Sequence, residues 1–173
     1  MLRRAKISDA NAIRLLRVES IRGLASSHYP QAEIESWCGT RRPEAYHSPI
    51  ERKVVLVVEQ EGQIVAFGQL DLATAFIEAI YVHSLQSRQG VGLKLLRALE
   101  AIAAGNGIRE LVLEASLNAV EFYQHAGYVS AKRGAHEHSQ SVVKSSVSMR
   151  HQLAGPTASN PSIEGTSTRL HLV

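Results

Sequence analysis

Cysteine is almost missing from this chain. Its single copy, Cys38, excludes an internal disulfide framework and fits a reducing compartment. Cys38 reads as a small packed apolar residue rather than a nucleophile. Long apolar runs are missing too, and no stretch approaches the ~18 residues of a membrane span. The early Arg3-Arg4 pair is followed by no apolar segment. No signal peptide is therefore expected, and a cytoplasmic location is. Charge of one sign is scarce: the net charge is only +3. No basic cluster is visible, which argues against a nucleic-acid partner while permitting an anionic cofactor. There is no internal repeat. What is present is 173 residues with 45% apolar content. That suits one domain with a core that needs no covalent staples.

In chain order, Leu2 to Ile7 reads as a strand, and Ser8 or Asp9 offers an N-cap. Ala12, Ile13, Leu16, Ile21 and Leu24 then form a helical face, weakened at Gly23. Pro30 opens a second helix that turns Ile34 and Trp37 inward, and Gly39 stops it. Thr40 to Arg52, with two prolines, reads as loop. Lys53 to Glu59 and Ile64 to Leu72 form a hairpin around Glu61-Gly62. The unbroken valine-rich run of its first strand predicts cover on both faces.

Next comes Phe76 to Leu99, which predicts a strand, a glycine turn and a helix. Apolar residues at Val91, Leu95, Leu96, Leu99 and Ile102 share one helical face. Gly105-Asn106-Gly107 ends the helix, and Ile108 to Ala115 is a strand parallel to the first. Ser116 or Asn118 caps a short helix over Ala119 to Ala126. Tyr128 to Lys132 and Val142 to Met149 are two more strands. From Ala154 onward Gly, Pro, Ser, Thr and Asn dominate, so residues 154–173 are expected to be a flexible tail and 1–153 the domain.

The turn between strand and helix carries the chemistry. A helix N-terminus presents unpaired N–H groups at the positive end of its dipole, and glycines there admit a phosphate. No Ser or Thr follows a Gly-Lys, which excludes a P-loop, and two glycines are too few for a dinucleotide fingerprint. By itself Gly90-Val91-Gly92 fits an anion-binding turn or a plain helix opening.

Two segments together say more. IYVHSLQSRQGVGLKLLRALEAIA and LEASLNAVEFYQHAGY resemble the acetyl-CoA pyrophosphate motif and the Asn-x-x-x-x-Tyr element of the GNAT superfamily of acyl-CoA-dependent N-acetyltransferases. The element order from Leu2 to Arg150 is similar as well. One departure stands out: the family turn usually opens with Arg or Gln three residues before its first glycine, where this chain has Ser87.

The resemblance implies an α/β fold. It has a mixed, mostly antiparallel central sheet, a parallel β-α-β unit and flanking helices. It implies direct attack of a primary amine on acetyl-CoA in a ternary complex. The acceptor would be a small molecule or a protein amine. Backbone from Arg88, Gln89, Gly90, Val91, Gly92 and Leu93 would hold the pyrophosphate. Ile80 and Val82 would pair with the pantetheine arm, and an N–H near Val82 would polarise the thioester carbonyl. Tyr123 would protonate the leaving thiolate, or only hydrogen-bond the sulfur. Asn118 would hold the turn or the cofactor arm, or merely cap a helix.

Glu78 would serve as base, on the same face as Ile80 and Val82 by period-two alternation; otherwise it is a solvated or salt-bridged glutamate. His83, His136 and His138 are further candidate bases. No metal or membrane contact is implied, and the resemblance leaves a homodimer open. A non-catalytic acyl-CoA-binding module is the alternative. The whole reading requires Gly90 and Gly92 to open onto a cleft that Tyr123 also lines.

Overall fold

The computed structural model describes residues 1–39, 41–131 and 145–154. One seven-stranded sheet organises the chain, in the order β1-β2-β3-β4-β5-β7-β6. The strands are β1 (Leu2–Arg4), β2 (Val54–Gln60), β3 (Gln63–Asp71), β4 (Phe76–Val82), β5 (Glu110–Ser116), β6 (Val129–Ser130) and β7 (Ser146–Gln152). The helices are α1 (Ala10–Leu24), α2 (Gln31–Cys38), α3 (His47–Arg52), α4 (Val91–Gly105) and α5 (Val120–His125). Every neighbouring pair is antiparallel except β4 and β5. The mixed sheet and the parallel β-α-β unit expected from the sequence are therefore present.

The sheet is sandwiched. Val54, Leu56 and Val58 of β2 face α4, packing with Leu95, Leu96 and Leu99. Val55 and Val57 face the other way, toward Ile13 and Leu16 of α1. This is why a single strand can read Val-Val-Leu-Val-Val without alternation. Gly68 of β3 lets α4 lie close, because a Cβ there would sit 2.9 Å from Leu99 Cδ1. The β2–β3 turn carries positive φ at Glu61 (50°) and Gly62 (76°), the signature of a tight hairpin turn.

Several expected boundaries move. The first strand stops at Arg4, because Asp9 accepts the Lys6 N–H and closes a 3-10 turn over Ile7–Asp9 before α1 begins. Asp9 occupies the N-cap position of α1 as expected, but its side chain bonds back to Lys6 rather than to the first turn of the helix. Thr40 to Arg52 is not plain loop: a 3-10 turn (Pro43–Tyr46) leads into α3. Both prolines sit in first turns, where a missing N–H costs no hydrogen bond. Neither Ser116 nor Asn118 caps α5 by its side chain; a 3-10 turn over Leu117–Ala119 precedes it. Gly23 has a reason beyond helix propensity, since a Cβ there would meet Ser84 Cβ at 2.7 Å. Residues 154–173, expected as a tail, lie outside the described residues except for Ala154.

Two irregularities in the centre of the sheet create the site. β4 and β5 pair only at Phe76–Val112 and Ile77–Leu113, after which both strands run on apart. On its other edge, β4 pairs Ala79 with Gln69 but Ile77 with Leu70. Glu78 is thus the extra residue of a β-bulge, which bends the strand away from its parallel neighbour.

Candidate active site

The bulge decides which way each β4 side chain points. Ile77, Ile80 and Val82 all pack on the α4 side, whereas Ala79 and Tyr81 pack on the α1 side. Ile77 and Ile80 share a face only because Glu78 is inserted. Glu78 accepts hydrogen bonds from Lys53 Nζ (2.5 Å) and from Gln69 Nε2. Gln69 stands opposite Ala79. The expected parity is therefore corrected: Glu78 shares the face of Tyr81, not that of Ile80 and Val82.

Backbone polarity follows from the register. His83 N–H donates to Val65 O at 2.9 Å. Antiparallel pairs alternate between bonded and non-bonded, so Tyr81 and Ala79 also bond toward β3. The N–H and C=O groups of Ile80 and Val82 then point to the splayed edge, where β5 no longer pairs with them.

The turn beyond β4 continues this edge. Arg88 (φ 61°) and Gly90 (φ 78°) are both left-handed, a backbone arrangement that gathers successive N–H groups. Gly90 is the N-cap of α4, and no side chain caps the helix. Lys94 N–H bonds Gly90 O, and the N–H groups of Val91, Gly92 and Leu93 precede the first intrahelical bond. A Cβ on Gly92 would reach Val82 Cγ2 at 3.3 Å and Phe122 at 3.6 Å, so glycine keeps this approach open. Gln89 spends its side chain on Leu85 O (2.9 Å), and Val91 is buried; each offers only backbone here.

One cleft of about 1400 Å³ joins these parts, lined by Gly90, Gly92 and Val82 and also by Tyr123, Asn118 and Glu78. The arrangement required of the two glycines and Tyr123 is met. Tyr123 is 6% exposed and packs edge-on against Phe122 and Tyr128, with ring centroids 5.0 and 5.6 Å away. Burial pushes its hydroxyl well above the usual tyrosine range, so it stays protonated at neutral pH. Asn118 Oδ1 is buried without a hydrogen-bond partner among the described residues, lines the same cleft and does not cap α5.

The opposite lobe, toward α1 and α3, is built from side chains. Lys53 bridges Asp71 (3.0 Å) and Glu78 (2.5 Å). Desolvation tends to raise Asp71, yet the bonds from Lys53 and from backbone hold it below the usual carboxylate range. Glu114 enters from β5. Leu111, Leu113 and Ala115 face the core, which turns Glu114 to the other side of the strand. Its bonded partner is Ser146 Oγ, at 2.8 Å, and no cation pairs with it among the described residues. The alternation in Leu-Val-Leu-Glu-Ala-Ser was the signal that could have flagged it.

Arg17 and Tyr46 were also missed, since an arginine on a helix and a tyrosine in a presumed loop carry no spacing signal. Tyr29 ties the α1–α2 connection across to the far arm: its hydroxyl accepts from Leu117 N–H (2.7 Å) and donates to Ser145 O (2.8 Å). His83 is drawn into a clamp instead, accepting from Leu85 N–H and lying 3.7 Å from Glu19. His136 and His138 lie outside the described residues.

A splayed parallel pair, a bulged strand with a bare edge and an amide-rich turn define a class of site made for an extended, anion-tailed ligand. The family comparison is consistent with that class. Residues 25–144 match the model of the acetyltransferase (GNAT) domain. The chain belongs to the GNAT acetyltransferase family.

Solved structures agree on the fold. A GCN5-related N-acetyltransferase from Rhodopseudomonas palustris is 26% identical with a TM-score of 0.78, over 88% of this chain and 95% of that one. The PaiA N-acetyltransferase of Thermoplasma acidophilum, solved with coenzyme A, is 20% identical with a TM-score of 0.75, over 88% and 98%. The yncA protein of Salmonella typhimurium, solved with acetyl-CoA, is 19% identical with a TM-score of 0.63, over 93% and 98%.

Proposed function

We propose that the protein transfers the acetyl group of acetyl-CoA to a primary amine by direct attack in a ternary complex. The observation that carries this is the unpaired β4 edge at Ile80 and Val82, continuous with the α4 amide turn and with Tyr123 in one cleft. The turn from Arg88 to Leu93 holds the pyrophosphate through backbone N–H groups, so the Ser87 departure removes a side chain but not the anion site. Ile80 and Val82 extend the sheet by one ligand strand, with Asn118 meeting the arm from the far side. An N–H near Val82 polarises the thioester carbonyl.

The amine nitrogen forms a bond to the carbonyl carbon, and the carbon–sulfur bond breaks. Tyr123 donates to the departing sulfur. Its raised affinity for its proton favours a donation completed late, as charge builds on sulfur. Before attack the acceptor ammonium gives one proton to the carboxylates flanking the splay, and the neutral amine then forms the bond to carbon. These carboxylates are Glu78, which the sequence singles out, and Glu114, reached directly or through water. Lys53 and Gln69 already occupy both oxygens of Glu78, whereas Glu114 bonds only Ser146 Oγ among the described residues, so Glu114 is the freer of the two to meet an incoming amine.

Acetyl-CoA should raise the melting temperature, by about 3 kcal/mol equivalent at a hundredfold excess over Kd. An absence of any shift at saturating acetyl-CoA removes this function altogether. A shift without thiol release for any amine leaves a binding module.

A further inference from the structure

The buried stripe of α1 runs Ala10, Ile13, Leu16 and Ile21, and it also contains Arg17. That guanidinium is an anomaly. Arg17 is 6% exposed, yet no carboxylate pairs with it among the described residues. Two of its donors go to α2 carbonyls, Cys38 O at 3.0 Å and Trp37 O at 2.6 Å. Those bonds close the end of α2, but they use two of the five N–H donors, and no anion meets the charge among the described residues. Lys53 and Arg3, each less buried, have two carboxylates apiece.

Two neighbours show the same shortage. The Tyr46 hydroxyl, in a residue 4% exposed, finds no acceptor among the described residues, and only Arg41 comes near enough to donate to it. Arg41 lies 5.9 Å over the Tyr46 ring, with no acid beside it among the described residues. Burial raises Tyr46, and both Arg17 and Arg41 oppose that rise, so the three groups form one electrostatic cluster. All three line the cleft. Each is a donor or cation lacking an acceptor or anion. At the other end of the lobe the balance reverses, with Glu78 and Asp71 sharing one lysine and Glu114 having none.

We propose that the acceptor is an amino-acid-like amine whose carboxylate docks on Arg17, Arg41 and Tyr46 while its amine faces Glu78 and Glu114. This rests on the acetyl-transfer reading above. A polyamine would bring a second cation against Arg17, and a plain alkyl or aryl amine would leave all three donors unfilled. Arg17 lies 5.9 Å from the Tyr81 ring. Tyr81 is three residues along β4 from Glu78, about 10 Å at ~3.3 Å per residue, less what the bulge removes. A free amino acid whose amine and carboxylate stand several bonds apart fits that span.

The test is acetyl-CoA-dependent thiol release across α- and ω-amino acids, each beside its amide, with acetyl-CoA binding followed by thermal shift. The carboxylate member of the best pair should exceed its amide at least tenfold in kcat/KM. Tyr46→Phe and Arg41→Gln should each shrink that ratio threefold or more through the KM of the acceptor, with the KM of acetyl-CoA unchanged. Arg17 itself is a poorer probe, because its loss also frees the end of α2. Turnover that prefers amides or uncharged amines overturns this inference and spares acetyl transfer. A ratio that both variants leave intact overturns it as well. Failure of acetyl-CoA to bind overturns both readings at once.

Discussion

The two lobes of the cleft are made of different material. On the side proposed for the donor nearly every group is backbone: the edge of Ile80 and Val82, and the amides from Arg88 to Leu93 at the head of α4. On the side proposed for the acceptor nearly every group is a side chain: Arg17, Tyr46, Lys53, Glu78 and Glu114. Backbone groups are identical in every chain, so a donor site made of them is fixed by turn geometry and by glycine. Side chains are replaceable one at a time, so an acceptor site made of them can change specificity without disturbing the sheet. The fold holds the two apart by a single inserted residue, Glu78, which turns the acidic side chain one way and the edge amides the other.

Tyr123 tests the comparison most severely, because it is the one side chain on the donor side asked to move a proton. Tyr123→Phe should lower kcat by about 10²-fold while leaving the Kd of acetyl-CoA within about twofold. Equal losses in kcat and affinity would make Tyr123 a binding residue. A kcat within threefold of the parent, where chemistry limits the rate, removes it from proton transfer.

The two carboxylates come next. Glu114→Gln should cost roughly 10²-fold in kcat, and Glu78→Gln about tenfold, with the Glu78→Gln loss partly restored at higher pH as more amine is neutral. The reverse ranking would mean that Lys53 and Gln69 orient Glu78 for proton removal rather than quench it. Gly92→Val tests the opposite lobe. The new side chain crowds Val82 and Phe122, and acetyl-CoA should bind about tenfold more weakly, near 1.4 kcal/mol, with acceptor preference unchanged. Calorimetric titration reads the first quantity, and an amine panel the second.

This division also explains what could be read from the sequence. Glycines at 90 and 92, a β-branched run before them and an amphipathic helix after them are local signals, and the donor lobe follows from them. The hairpin and the second helix follow in the same way, from Glu61-Gly62 and from Pro30 with Gly39. The bulge does not. Nothing in Phe-Ile-Glu-Ala-Ile-Tyr-Val marks an inserted residue, since a bulge is a property of two strands in register, and strict alternation put Glu78 on the wrong face. Nor does α3, because prolines that break a helix interior are harmless in its first turn. Arg17 and Tyr46 were invisible for a third reason: their meaning comes from partners they lack in space, which spacing along a chain cannot show.

The smallest expected effect separates the lobes by their charge. Tyr123 on the donor side and Tyr46 on the acceptor side are both raised by burial, but only Tyr46 has guanidiniums opposing the rise. In the unfolded chain each tyrosine loses its proton near pH ~10. In the folded chain it keeps that proton to higher pH. Above pH ~10 the folded state therefore binds more protons, and stability falls as pH rises, by at most about 1.4 kcal/mol per pH unit for each such tyrosine. Below that pH both states are protonated and the two tyrosines contribute no slope. Urea unfolding at pH 9, 10 and 11 should give a steepening loss in the parent. Tyr123→Phe should flatten it more than Tyr46→Phe, because Arg17 and Arg41 already offset part of what burial does to Tyr46. Equal flattening by the two variants would mean that the guanidiniums are too well screened to act on Tyr46, and the acceptor lobe would lose its standing as a positive site.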